Sequence, residues 1–398
     1  MSMPQAVRHI NEIRVLDLVF RQGRISRANI AKELDLTRST ASSIVARLAE
    51  EGLVTEDNTQ EDRGAGTGRP GTFVRLNAKH ALFMGANIGI GYISIVVLDL
   101  EANIVAKSKF QFAQDEISPE LIARRLVDAV KNVRTKLGPG RDVRGLCIAI
   151  PGVIDRSGII LRAPFLGWRR VPILDLVSNL LPDLPILVAE NDANAFAIAE
   201  GYDDKDSETD TEIYLFLDAG VGGAIVNGGK LLRGHDGYAG EFGHMIIGHR
   251  GYVKLATPDG SFESYVGLDA IINRCRHYGG SVDTFEEFLD ALKLSNGAAL
   301  STMVDWSYYL GRGLALFESL FNPSRIVIGG RVAPLFQLCR ARVMESVQRH
   351  LLADHPQPFI TLSTLGFEGP AIGAAKMLHR QLFSVNEDLV FRRNPHRQ

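Results

Sequence analysis

The chain has 398 residues, 45% hydrophobic and 23% charged, with a net charge of −2. That length suggests two or three soluble domains with ample core, and the balance excludes a polycation that holds nucleic acid by bulk charge. The three cysteines, Cys147, Cys275 and Cys339, are far apart and form no CxxC, which argues against a disulfide framework or a thiolate zinc site. No apolar run approaches membrane length and no signal-like segment opens the chain, so the expected compartment is the cytoplasm.

Ile10, Ile13, Leu16 and Phe20 recur at helical spacing and predict a first helix up to about Gly23. Ser26 can cap a second helix, Arg27 to Leu34, and Thr37 a third that ends near Gly52. Ala41, Ile44, Val45 and Leu48 give the third helix one apolar face. Its other face, Arg38, Ser39, Ser42, Ser43 and Arg47, is cationic or hydrogen-bonding, as a helix reading a major groove requires. Residues around Val54 and from Thr72 to Leu76 read as a two-stranded wing. Its tip is glycine-rich and holds Arg63 and Arg69. Arg69 among glycines suits a narrow minor groove, and equally a flexible linker; the adjacent winged helix favours DNA. Residues 1–76 are only weakly positive, so charge adds little.

From residue 77 the pattern changes to α/β. Strands are expected at Leu82 to Ile88, Tyr92 to Leu98 and Ile104 to Phe110, then a helix from Pro119 to about Leu137 and a buried strand from Val143 to Ile150. Past an acidic stretch, Asp203 to Asp210, the order partly repeats. Strands are expected at Glu212 to Leu217, Gly223 to Val226 and Lys230 to Leu232. Helices follow at Leu268 to His277, Phe285 to Leu292 and Ala298 to Phe321, then a strand at Arg325 to Ile328. Two such halves with a cleft between them suit a ligand-binding protein. The expected division is a DNA-binding domain over 1–76, a two-lobed domain over 77–383 and a basic tail over 384–398.

Between the halves lies Glu190-Asn191-Asp192-Ala193-Asn194, after a strand expected at Ile186 to Ala189 and before a helix expected at Ala193 to Glu200. A carboxylate and amides at a strand's C-terminal end can grip a polyol. The same residues are ordinary helix caps.

Five strings in order resemble the ROK family, which joins bacterial sugar kinases and sugar-responsive repressors. They are Ile150-Pro151-Gly152-Val153-Ile154-Asp155, Pro164-Phe165-Leu166-Gly167-Trp168, the 190–194 string, Gly240-Glu241-Phe242-Gly243-His244 and Ile326-Val327-Ile328-Gly329-Gly330. The resemblance covers nearly the whole chain. It implies a winged helix-turn-helix followed by an actin-like two-lobed domain, as in the repressor branch. By the family's pattern the sugar contacts are Asn191, Asp192, Glu241, His244 and Glu263, with Asp192 at the position of the kinases' general base. The partners it implies are operator DNA and a sugar, with the chain as a homodimer or homotetramer.

Two departures from the kinase pattern matter. The first phosphate hairpin, usually Asp-x-Gly-Gly-Thr, reads Asn87-Ile88-Gly89-Ile90-Gly91-Tyr92; the second, usually Gly-Thr-Gly, reads Asp218-Ala219-Gly220-Val221-Gly222. A bulky Tyr92 and a negative Asp218 oppose a nucleotide's phosphates, so Asp192 is expected to have no reaction to catalyse. The family's zinc-binding cysteines are absent from Gly248 to Tyr265. No metal or cofactor is therefore expected, and His244 is expected to be oriented by hydrogen bonds, with the 249–260 loop more mobile than in zinc-bearing relatives. Phe165 stands where relatives often have a polar residue.

Overall fold

The computed structural model of the chain describes residues 3–57, 72–113, 117–155, 157–201, 210–252 and 259–383. The wing tip with Arg63 and Arg69, residues 203–209 of the acidic stretch, 253–258 of the 249–260 loop and the tail 384–398 lie outside the described residues.

Three helices open the fold: α1 (Met3–Gln22), α2 (Arg27–Glu33) and α3 (Arg38–Glu50). Ser26 caps α2 by accepting from the Asn29 N–H, and Thr37 caps α3 by accepting from the Thr40 N–H. Ala41, Ile44, Val45 and Leu48 are buried, as their spacing predicts. The wing has one strand more than expected. β1 (Ile25–Ser26), β2 (Val54–Asp57) and β3 (Phe73–Leu76) form an antiparallel sheet in the order β1-β3-β2.

The first lobe is a five-stranded sheet of β4 (Leu82–Gly89), β5 (Tyr92–Leu98), β6 (Ile104–Gln111), β7 (Val143–Ile150) and a strand at Leu187–Asn191. Helix α4 (Pro119–Leu137), capped by Ser118, buries its Ile122, Leu126, Val130 and Val133 stripe against this sheet. Between β7 and the last strand the sequence reading assigned nothing. The chain there forms a small antiparallel sheet, β8 (Val153–Ile154), β9 (Ile160–Ala163) and β10 (Trp168–Val171), then a short helix α5 (Ile173–Ser178). The strand at Leu187–Asn191 is β11, and it reaches two residues further than expected, so that Asn191 pairs with Ile150 of β7.

Helix α6 (Asp192–Glu200) leads to the second lobe: β12 (Thr211–Leu217), β13 (Val221–Asn227), β14 (Lys230–Leu231), α7 (Glu263–Val266), α8 (Leu268–His277), α9 (Phe285–Lys293), α10 (Gly297–Phe321) and β15 (Arg325–Gly329). Past it, in a region also left unassigned, come α11 (Pro334–His350), β16 (Ile360–Leu362) and α12 (Gly369–Leu382). The two sheets repeat one plan. The orders β11-β7-β4-β5-β6 and β14-β13-β12-β15-β16 each combine an antiparallel three-strand meander with two further parallel strands.

Two helices join the lobes. Helix α6 lays Ala193, Phe196 and Ala197 on the second sheet and turns Ala195 and Ala199 toward α12. Their approach is too close for side chains: a Cβ on Gly373 of α12 would fall 1.6 Å from the Ala195 carbonyl oxygen. The last turn of α12 in turn holds the DNA-binding domain. Phe20 of α1 lies 5.0 Å from the His379 ring and 5.1 Å from Phe383, and the cores of the winged helix and first lobe merge there. The fully buried His379 is fixed by its Nε2–H, which donates to the Leu100 carbonyl at 2.8 Å.

Candidate functional site

Parallel pairing of β7 and β11 brings Pro151-Gly152 beside Asn191 at the carboxyl edge of the first sheet. Asn191 is the N-cap of α6. Its side-chain oxygen accepts from the Asn194 N–H at 3.0 Å, and its amide donates to the Gly152 carbonyl at 3.1 Å. The cap reading of this residue is thus realised, while its position also lines the cleft. Asn194 is buried and donates to Glu190 Oε1 at 3.0 Å. Glu190, 4% exposed, is gripped by Arg233, with Nη1 on Oε1 at 2.9 Å and Nη2 on Oε2 at 2.6 Å. That fork ties the strand end to the second lobe.

Asp192 faces the cleft. Burial pushes its carboxyl up to about 7; the Ala193 N–H, donating at 2.9 Å, opposes this, and the charges of Asp218 and Glu241 add to it. Across the cleft Glu241 precedes a 3-10 turn, Phe242–His244, and Glu263 begins α7. His244 sits between them, with Nδ1 3.5 Å from Glu241 and Nε2 3.8 Å from Glu263. These are ion-pair distances, longer than the hydrogen bonds expected to orient the ring. Burial raises the Glu241 carboxyl, with His244 opposing and Glu263 adding. Asn191, Asp192, Glu241, His244 and Glu263 thus line one cleft, which has about 1020 Å³ of empty space including its open mouth.

Both hairpins lining the cleft carry side chains where phosphates would approach. Tyr92 pairs with Gly89, and its ring lies over that glycine, where a Cβ would fall 2.2 Å from Tyr92 Cζ. The Tyr92 ring also meets Phe367 edge-on at 5.9 Å, and the Lys109 ammonium sits over both rings. In the second hairpin Asp218 is not the bare charge that the sequence suggests. Arg331, just after the Gly329-Gly330 string, donates to Asp218 Oδ1 from both Nε and Nη2. Sequence reading missed this partner, because only the parallel pairing of β12 with β15 brings residue 331 to residue 218. Burial still raises the Asp218 carboxyl, with Arg331 opposing.

Phe165 packs its ring on Gly220 of that hairpin; a Cβ there would fall 2.5 Å from Phe165 Cε2. The turn is fixed by Trp168, whose indole donates to the Ile117 carbonyl at 2.6 Å. The donors between Gly248 and Tyr265 do not fit zinc. The segment has no thiol, all three cysteines are buried, and no metal-holding cluster occurs among the described residues.

On α3, Arg38, Ser39 and Ser43 are exposed and Ser42 is half-buried; Thr40 and Ala46 share the exposed surface. Arg47 is placed differently. Its guanidinium reaches Glu12 of α1 at 3.0 Å and Glu51 at 2.9 Å, so it braces the three-helix unit. Arg69 lies outside the described residues. No described helix is long and apolar enough to cross a membrane.

A winged helix set on a two-lobed domain with a polar cleft defines a DNA-binding regulator built on a sugar-kinase-like fold. The model of the ROK family matches residues 83–381, and a model of winged helix-turn-helix DNA-binding domains matches residues 8–55. The chain belongs to the ROK family and is a DNA-binding transcriptional regulator. It is 26% identical to the xylose repressor of Bacillus subtilis (strain 168), over 94% of this chain and 95% of that one. It is 28% identical to a glucokinase of Streptomyces coelicolor, over 74% of this chain and 97% of the kinase. Among solved structures, a ROK family transcriptional regulator, a homolog of the E. coli MLC protein, shares the fold with a TM-score of 0.76 at 23% identity, covering 95% of this chain and 97% of that one. A ROK family glucokinase from Streptomyces griseus, in complex with glucose and AMPPNP, reaches 0.64 at 29% identity, covering 75% of this chain and 99% of that one.

Proposed function

We propose that the chain is a repressor whose cleft senses a sugar, that sugar lowers its affinity for operator DNA, and that it phosphorylates nothing. The observation that carries this reading is the contrast within one cleft. Five groups suited to hydroxyls line it, while Tyr92 lies over the first phosphate hairpin and the Asp218–Arg331 pair occupies the second. Asn191, Asp192, Glu241, His244 and Glu263 are the sugar contacts in this reading, with Asn191 serving as cap and contact together. A sugar bound between the lobes favours their closure and moves the winged helices, with a coupling of about 1–3 kcal/mol. The protein acts in the cytoplasm as a homodimer or homotetramer, so that two recognition helices meet one palindrome. Helix α10 supports self-association, since it exposes Leu300, Val304, Tyr308, Leu316 and Leu320 at multiples of four residues.

The test is a thermal-shift screen of sugars on the full chain, followed by operator release with the hits in gel shifts. D-xylose comes first in the panel, because repressors of similar sequence are named for it. A rival reading, a sugar kinase with an added DNA-binding domain, draws on Asp192, whose pKa of about 7 suits a general base. A coupled ADP-release assay over the same panel separates the two: turnover ends the non-catalytic reading, and none is expected.

A further inference from the structure

Resting on the sugar-sensing reading, we propose that Tyr238 is a stacking platform at the mouth of the cleft and that the effector is a saccharide of at least two rings, with its second ring on Tyr238. Tyr238 lines the cleft and is 52% exposed. Among the described residues its ring meets no other ring or cation and its hydroxyl makes no hydrogen bond. A single exposed side chain is ordinary on a protein surface. What sets this one apart is how firmly its loop is held.

That loop, residues 232–240 between β14 and the Phe242–His244 turn, reaches from the second lobe to the first. Arg233 forks onto Glu190 of β11, and a Cβ on Gly237 would fall 3.0 Å from the Ile154 carbonyl oxygen of β8. The loop also closes on itself, with the Ala239 N–H donating to the Arg233 carbonyl at 3.2 Å. Gly240 presses on β13, where a Cβ would fall 2.4 Å from the Gly223 carbonyl oxygen. Gly237 and Gly240 both take left-handed φ, 84° and 89°, which other residues rarely adopt. Tyr238 stands between these fixed points, so its ring is presented to the cleft before any ligand arrives. A ring with only two side-chain torsions on a fixed backbone loses little further freedom on binding.

The depth of the other cleft residues sets the size of the ligand. Glu263 is 4% exposed, and Asn87 is 2% exposed with no hydrogen-bond partner for its Oδ1; both line the same cleft as Tyr238. The groups a ligand must satisfy thus run from a buried amide to a ring half in solvent. A sugar has hydroxyls around its rim and a C–H face that packs on an aromatic ring. One ring seated with its hydroxyls on the buried groups leaves Tyr238 uncovered, and a second ring linked on the solvent side covers it. The cleft, with about 1020 Å³ of empty space including its mouth, holds both. Because the Tyr238 loop rests on the first lobe, a ligand stacked there bears on both lobes at once.

Calorimetric titration of the full chain with matched pairs tests this: D-xylose against xylobiose, and D-glucose against cellobiose and maltose. At least one disaccharide should bind about fivefold or more tightly than its monosaccharide. Y238A should weaken that disaccharide about fivefold more than the monosaccharide, while Y238F, which keeps the ring, should retain most of the advantage. Tyr238 is exposed, so both variants should melt like the wild type. Monosaccharides binding as tightly as their disaccharides in every pair overturns the second-ring subsite while leaving sugar sensing intact. So does an equal loss of both ligands in Y238A, which would put a single ring on Tyr238, or an advantage that Y238F loses as fully as Y238A. If no sugar of either kind binds, the sensing reading fails and the subsite fails with it.

Discussion

Replacing Asp192 with Asn should make the sugar-free protein more stable and a poorer sugar binder. The carboxyl titrates near 7 instead of 3.8, because burial penalises its charge and Asp218 and Glu241 repel it. The folded state therefore holds this proton more tightly than the unfolded chain does. Stability from this group is present at low pH, falls as pH rises from about 4 through 7, and the full penalty stands above 7. At about 1.4 kcal/mol per tenfold difference in proton affinity, the ceiling is roughly 4 kcal/mol. The side chain faces an open cleft, so solvent screening reduces that to about 1–2 kcal/mol. Asn keeps the Oδ1 acceptor for the Ala193 N–H and carries no charge. We expect D192N to melt a few degrees above wild type at pH 8, with a smaller gain at pH 5. Its sugar affinity should fall by roughly tenfold, because a charged acceptor for a hydroxyl is lost. Thermal melts at the two pH values, with sugar titrations, read both effects. Equal gains at pH 5 and pH 8 would refute the argument, as would undiminished sugar binding.

Other substitutions probe the remaining parts. Arg331→Ala strands the Asp218 carboxylate and should cost about 1–3 kcal/mol in denaturant unfolding, whereas Asp218→Asn in the same chain should recover much of that; additive losses would show that the pair does not interact. Arg38→Ala should weaken operator binding in gel shifts by roughly tenfold or more and, if it meets a phosphate, lower the salt slope by about 1. Arg47→Ala should act mainly on the stability of the three-helix unit, so equal effects on DNA from both variants would contradict the placement of Arg47. Phe20→Ala removes a partly buried ring between α1 and α12 and should cost about 1–3 kcal/mol locally. It should leave sugar binding in place but reduce sugar-induced operator release, and normal release would exclude this contact from the coupling.

Local signals carried much of the fold. The caps Ser26, Thr37 and Ser118, the stripe on α3 and the apolar runs of β4, β5, β7 and β12 depend on neighbours in sequence, and all formed where expected. The unassigned pieces depend on distant partners. The strands β8 to β10 are two to four residues long, too short for an alternation to register, and β10 places two arginines outward. Helix α12 begins Gly-Pro and carries a second glycine at 373, a poor helical signal that only the backbone of α6 explains. The site residues were legible through family strings. Their bonding was not, because Arg233 and Arg331 are distant in sequence from the carboxylates they hold. Arg47 has a partner that the sequence pattern does not reveal. Its place on the polar face suited DNA, but Glu12, one helix away, claims its charge.

Those same contacts say how a change in the cleft can reach DNA. Helix α6 starts at Asp192, inside the cleft, and touches α12 backbone to backbone at Gly373. Helix α12 is as close to the first sheet, where a Cβ on Gly85 would fall 2.0 Å from the Ala371 carbonyl oxygen. Contacts this tight leave no room for one element to slide while its neighbour stays still, since packed interiors move as units. The last turn of α12 grips Phe20, and from α1 the Glu12–Arg47 ion pair reaches the helix that carries Arg38 and Ser43. A shift of α6 on sugar binding therefore has a continuous rigid route to the reading helix. The coupling it must deliver, about 1–3 kcal/mol, is no larger than one well-packed aromatic contact can transmit or lose. Arg47, on the same polar face of α3, is the last link of that route through its ion pair with Glu12.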